Sequence, residues 1–266
     1  MLGKSSARNH ADHRLPHYLR GRCGIPTMYR PGTRTLVGVE AVIERDLEPH
    51  AGRLVVLGSN GCHDGAVDDL VTVATGLIAD HPAVKSVKFA GSRSRGTHEQ
   101  LSDWDFAVET SNFEALAQDL PALLVPLNPL GQQWEPMGHF PVYQVFLRGP
   151  TKIEYLFLDR SQDPLPPLAP SRVTLPAINT HFWDWIWWLT TKASIGRTDL
   201  VAEHLPELYT QLLEPMGISA VPETIESAIE AFVARRNALE QEFGVSVDRA
   251  LESEVRQGIA RVLDQR

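Results

Sequence analysis

Phe89-Ala90-Gly91-Ser92-Arg93-Ser94-Arg95-Gly96, followed after a short spacer by Ser102-Asp103-Trp104-Asp105-Phe106, holds a strand end, a turn and the start of a second strand. Residues 84–90 are rich in β-forming side chains, and the small residues after Ala90 predict the turn. In the second strand Trp104, Phe106 and Val108 alternate with Asp103, Asp105 and Ala107. Successive strand side chains point to opposite faces, so the apolar three share one face and both aspartates the other. Two like charges on one face repel unless a cation or hydrogen bonds compensate them. Hard carboxylate oxygens suit Mg²⁺, which completes its shell with water and substrate phosphates. The Gly91-Ser92 turn supplies close backbone approach, N–H groups and a hydroxyl, which a phosphate needs.

Outward from this centre, apolar residues recur at helical spacing over 64–78, and His81-Pro82 ends that helix. Residues 112–125 predict another helix, and the runs 142–147 and 153–158 predict a hairpin across Arg148-Gly149-Pro150-Thr151-Lys152. Five prolines between 164 and 176 suit an extended linker, placing a domain boundary at 161–176. Helical patterns follow at 181–195, 200–213, 222–243 and 247–263, separated by Gly196, Gly217 and Gly244. At the start, Lys4, Arg8, Arg14, Arg20, Arg22, Arg30 and Arg34 stand against Asp12 alone before the balance turns acidic, in a stretch unlike the rest. Residues 1–62 are therefore expected to be a disordered extension, with an organelle-targeting role left open.

The string Phe89–Gly96 with Ser102–Phe106 resembles the defining motif of the DNA polymerase beta-like nucleotidyltransferase superfamily, most like its aminoglycoside and antibiotic nucleotidyltransferases. The resemblance implies an α/β (α+β) catalytic domain over 63–160, with a short mixed sheet flanked by helices, then an all-α helical bundle over 177–266. It implies transfer of a nucleoside monophosphate from a nucleoside triphosphate, with ATP the expected donor, and release of pyrophosphate. Gly91 and Ser92 would hold the phosphates, and Asp103 and Asp105 two Mg²⁺ ions. A third carboxylate on a neighbouring strand is expected at Glu154, as metal ligand, base or both, with Glu109 in reserve. In the helical half, Lys192 would contact the triphosphate at the end of a helix carrying Trp183, Trp185, Trp187 and Trp188. These tryptophans are otherwise expected in the core, and His181 is expected to cap or pack.

With 43% hydrophobic and 22% charged residues the composition is that of a globular protein, and no run approaches a membrane span. A net charge of -8 argues against tracking a long nucleic acid, which demands clustered Lys and Arg. Two cysteines, Cys23 and Cys62, give no disulfide framework or zinc motif and fit a reducing, cytoplasmic setting. The acidic helical half, with Glu203, Glu207 and Glu214 among others, suits a small cationic acceptor such as an aminoglycoside-like antibiotic. A protein acceptor of AMP, as in antitoxin-type relatives, and a catalytically inactive nucleotide-binding module remain the alternatives.

Overall fold

Alternation and turn chemistry organise the chain around one sheet. The computed structural model describes residues 63–99, 101–149 and 151–263; the expected 1–62 extension lies outside them. Helix α1 (His63–Ala79) leads to strand β1 (Val84–Phe89), a single helical turn α2 (Gly91–Ser94) and strand β2 (Trp104–Thr110). Helix α3 (Phe113–Leu123) follows, then β3 (Gly131–Trp134), β4 (Val142–Leu147) and β5 (Thr151–Leu156). The helices α4 (Leu175–Ser194), α5 (Thr198–Leu208), α6 (Ile225–Phe243) and α7 (Ala250–Leu263) complete the described chain. Among these residues no helix is long and apolar enough to cross a membrane.

The five strands lie in the order β1-β2-β5-β4-β3. Only β2 and β5 run parallel, which makes the sheet mixed, and their register sets Asp105 beside Glu154. The expected hairpin is formed by β4 and β5, with Gly149 at φ 77° in its turn. Strand β3 was not anticipated, since Gly131-Gln132-Gln133-Trp134 holds a single strong β former. Its pairing partner supplies the missing signal: Trp134 lies opposite Tyr143, the rings meeting edge-on at 4.9 Å.

One face of the sheet is covered by α1 and α3. Phe106, Val108, Ile153 and Tyr155 meet Leu70, Ala74, Ile78, Leu116 and Leu120 there, all buried. Asn112 starts α3 by accepting a hydrogen bond from the Ala115 N–H at 3.2 Å, which satisfies one of the open amides of the first turn. The Tyr155 hydroxyl donates to the Ala74 carbonyl at 2.9 Å and ties α1 to the central strand pair. With Ile153 and Tyr155 committed to this core, Lys152 and Glu154 project from the other face.

Helix α4 begins at Leu175, earlier than the expected His181, because Pro176 falls in its first turn where no N–H is needed. His181 is thus inside the helix, and of the two expected roles it packs, against Trp185, and does not cap. A second buried cluster joins Phe182, Trp183, Ile186, Trp187, Phe232 and other helical residues to Leu101 and Phe146 from the sheet half. Phe182 and Phe232 stack at 3.7 Å. Helix α6 opens on a capping box between Thr224 and Ser227 and closes on Gly244 at φ 62°. The proline-rich stretch is fastened to the loop after β3: the Gln162 N–H donates to the His139 carbonyl at 3.0 Å and the Leu165 N–H to the Pro136 carbonyl at 2.8 Å.

Tyr155→Phe removes only the hydroxyl that links the sheet to α1. Urea unfolding of the variant is expected to show a loss of about 1–3 kcal/mol, with an unchanged dependence on denaturant.

Candidate active site

The sheet face that meets α4 gathers three carboxylates around one ammonium, with a fourth, Asp105, beside them. Lys152 Nζ lies 3.2 Å from Asp103 Oδ2, 3.0 Å from Glu154 Oε1 and 3.0 Å from Asp184 Oδ1 of α4. The lysine side chain is 5% exposed, whereas that of Asp103 is 24% exposed and reaches open space. Asp105 stands beside Glu154 in register. The Gln144 side-chain amide donates to Glu154 Oε1 at 3.0 Å, and Gln133 donates in turn to Gln144 at 2.9 Å. A row of amides from β3 and β4 therefore fixes the glutamate from behind.

Asp105 is also locked to the turn at the end of β1. Gly91 adopts φ 70°, and a Cβ placed on it would fall 1.7 Å from Asp105 Oδ2. Only glycine fits, for both conformational and steric reasons. The Ala90 N–H donates to the Asp105 carbonyl at 2.8 Å, so backbone and side chain hold the turn against β2. Ser92 follows in α2, and its carbonyl accepts from the Arg95 and Thr97 amides at 3.2 and 3.0 Å. Arg93 donates to the Ser102 carbonyl at 2.9 Å and lies over Trp104, which braces the spacer between the two motifs.

The electrostatics follow from burial. Loss of water raises Asp103 from 3.8 to about 7, with Glu154 and Asp184 adding to the rise against the opposing pull of Lys152. Burial likewise raises Asp105, helped by Glu154. Glu154 goes the other way, because Lys152 and the hydrogen bonds from Gln144 and Lys152 outweigh its burial and hold it below the usual carboxylate range. Burial would lower the Lys152 ammonium, yet Asp103, Asp184 and Glu154 together keep it charged well above its ordinary value. One cation faces several carboxylates, and Asp103 and Asp105 are the two pushed toward protonation.

Two clefts meet at Asp103. The smaller, of about 140 Å³, is lined by Ser92, Asp103, Asp105, Trp188 and Lys192 among others. Lys192, in the last turn of α4, lies over Trp188 with Nζ 5.1 Å from the ring centroid. The larger, of about 660 Å³, is walled by Asp103, Lys152, Glu154, Asp184, Trp185 and Trp188 and by residues of α5 and the loop after β3. Of the four tryptophans, Trp183 and Trp187 belong to the core, while Trp185 and Trp188 face the larger cleft. The structure thus brings together Gly91, Ser92, Asp103, Asp105, Glu154 and Lys192. Glu109 is left outside, paired with Lys88 at 3.4 Å on the exposed part of β2. Lys152, Asp184 and Gln144 were not anticipated; the parity of Lys152 with Glu154 on β5 was the one available signal.

No family model matches the chain, and no curated protein matches it. Several solved structures are similar to parts of it. An aminoglycoside 6-adenyltransferase from Bacillus subtilis is 9% identical over 73% of this chain and 97% of its own, at a TM-score of 0.28. The polymerase core of TRAMP, an RNA surveillance complex, is 12% identical over 52% of this chain and 44% of its own, at a TM-score of 0.31. At such low scores neither likeness bears on function, and the side chains themselves must carry it.

The charge imbalance sets the expected response to mutation and pH. A carboxyl raised to about 7 in the fold favours folding while protonated, a contribution lost as pH climbs from about 4 through 7. Asp103→Asn should therefore leave thermal stability near wild type at pH 5 and match or exceed it at pH 8, in metal-free buffer. Lys152→Met strands three carboxylates, and melts at pH 8 are expected to show a loss of about 3–5 kcal/mol, smaller at pH 5.

Proposed function

We propose that the chain is a nucleotidyltransferase that moves a nucleoside monophosphate from a nucleoside triphosphate to a small acceptor. The observation that carries this reading is the convergence of Asp103, Asp105 and Glu154 from adjacent strands next to the Gly91-Ser92 turn, with Asp105 against Gly91. The donor set fits Mg²⁺: hard oxygen ligands, in a cluster whose negative charge exceeds the Lys152 ammonium, with both aspartates pushed toward protonation by burial. Asp103, Asp105 and Glu154 would hold the metal. When bound, Mg²⁺ neutralises triphosphate charge and makes an acceptor hydroxyl more acidic. Glu154, held anionic by Lys152 and Gln144, suits a ligand better than a base, which needs proton affinity near the working pH.

The smaller cleft is assigned to the donor's phosphates. Ser92 offers a hydroxyl and the turn its amides, and Lys192 approaches from α4. The larger cleft is assigned to the acceptor, whose hydroxyl oxygen displaces pyrophosphate from the α-phosphorus: a new O–P bond forms, the P–O bond to pyrophosphate breaks, and the hydroxyl proton passes to water. A volume of about 660 Å³ is that of a small-molecule pocket. Its carboxylates and the rings of Trp185 and Trp188 favour an amine-bearing acceptor. Positioning and charge neutralisation carry most of such a reaction. We retain 161–176 as the divide between the catalytic and helical halves, with the cleft walls drawn from both.

The experiment is a screen of purified protein with each nucleoside triphosphate, Mg²⁺ and a panel of amino alcohols and aminoglycosides, read by mass and by pyrophosphate release. Transfer from one donor is expected, falling about 10²-fold or more in Asp105→Asn and Glu154→Gln, the latter also demanding more Mg²⁺. Absence of pyrophosphate release across the whole panel, or full activity in Asp105→Asn, rejects the assignment.

A further inference from the structure

The larger cleft contains a second set of donor atoms, and the imidazole among them has no role in nucleotidyl transfer. Glu135 follows β3, while His181 and Asp184 stand three residues apart and share one face of α4. One ligand atom from each of the three lies within 4.8 Å of the other two. His181 is only 7% exposed, its ring packs 5.6 Å from that of Trp185, and neither ring nitrogen has a hydrogen-bond partner among the described residues. A buried imidazole with both nitrogens unsatisfied is costly and calls for a ligand.

We propose that Glu135, His181 and Asp184 form a binding site for a divalent transition-metal ion of the Zn²⁺ type, separate from the carboxylates of the sheet. Imidazole nitrogen with two carboxylates selects such ions over Mg²⁺, which takes oxygen ligands. The surroundings supply the hydrogen bonds that orient metal ligands: Lys152 Nζ donates to Asp184 Oδ1 at 3.0 Å, and the Met137 N–H donates to Glu135 Oε1 at 2.8 Å. Each carboxylate has a second oxygen. Three protein ligands at the wall of an open cleft leave a coordination position facing its interior, the arrangement that lets a metal take a hydroxyl or amine from a bound molecule. This site does not depend on the nucleotidyltransferase reading, since none of its ligands comes from the Asp103-Trp104-Asp105 motif.

The test uses the full chain without nucleotide. Co²⁺, as a coloured substitute, is expected to give visible d–d absorption and to shift or broaden the ring signals of one buried histidine; Zn²⁺ should displace it and raise the melting temperature. Glu135→Gln and His181→Gln should weaken Zn²⁺ affinity about tenfold or more, while Asp105→Asn keeps it. The wild-type Co²⁺ spectrum and histidine signals decide the matter even where His181→Gln does not fold. Co²⁺ binding that leaves every histidine signal unmoved overturns the proposal. So does Zn²⁺ affinity lost in Asp105→Asn but kept in Glu135→Gln. Failure of Zn²⁺ to bind, together with spermidine binding that depends on Glu135, would make the cluster an ammonium site and equally overturn it.

Discussion

A buried ammonium is the constraint on which the rest of the site depends. Lys152 is surrounded by carboxylates from the residue before β2, from β5 and from α4, and their charges would be costly in the interior without it. Its position requires the parallel register of β2 and β5, which aligns Asp105 with Glu154, and the docking of α4 across the sheet, which delivers Asp184. Gln144 and Gln133 then satisfy Glu154 from the side away from β2. The polar face of the sheet is thus a connected network built over an apolar face, and the alternation of β5 serves both.

What could be read beforehand follows the range of the interactions. The two aspartates, the hairpin and the glycine turn are local: period-2 alternation in β2, turn residues around Gly149 and the small residues at Gly91 state them within a few positions. Glu154 was legible because Ile153 and Tyr155 declare the buried face beside it. Asp184 and the binding surface of α4 were not, because a helix with Phe182, Trp183, Ile186 and Trp187 on one side says only that it is buried there. Nothing within the helix states which sheet residues its polar side meets. The same holds for β3, whose weak strand character is overridden by pairing with β4 and by the edge-on contact of Trp134 with Tyr143.

The proline-rich stretch illustrates the difference between composition and context. Its residues suit an extended chain, and 161–171 form neither helix nor strand, but hydrogen bonds from Gln162 and Leu165 to the loop after β3 anchor them beside the larger cleft. Pro164 lines that cleft. A segment that reads as a spacer has become part of a wall, and its stiffness helps define the shape of the space.

Asp103 lines both clefts. One side chain is thus a wall of two chambers, so an occupant that draws the carboxylate toward itself changes the shape and charge met in the other. By linkage any such influence runs equally in reverse, and it needs no movement of the backbone.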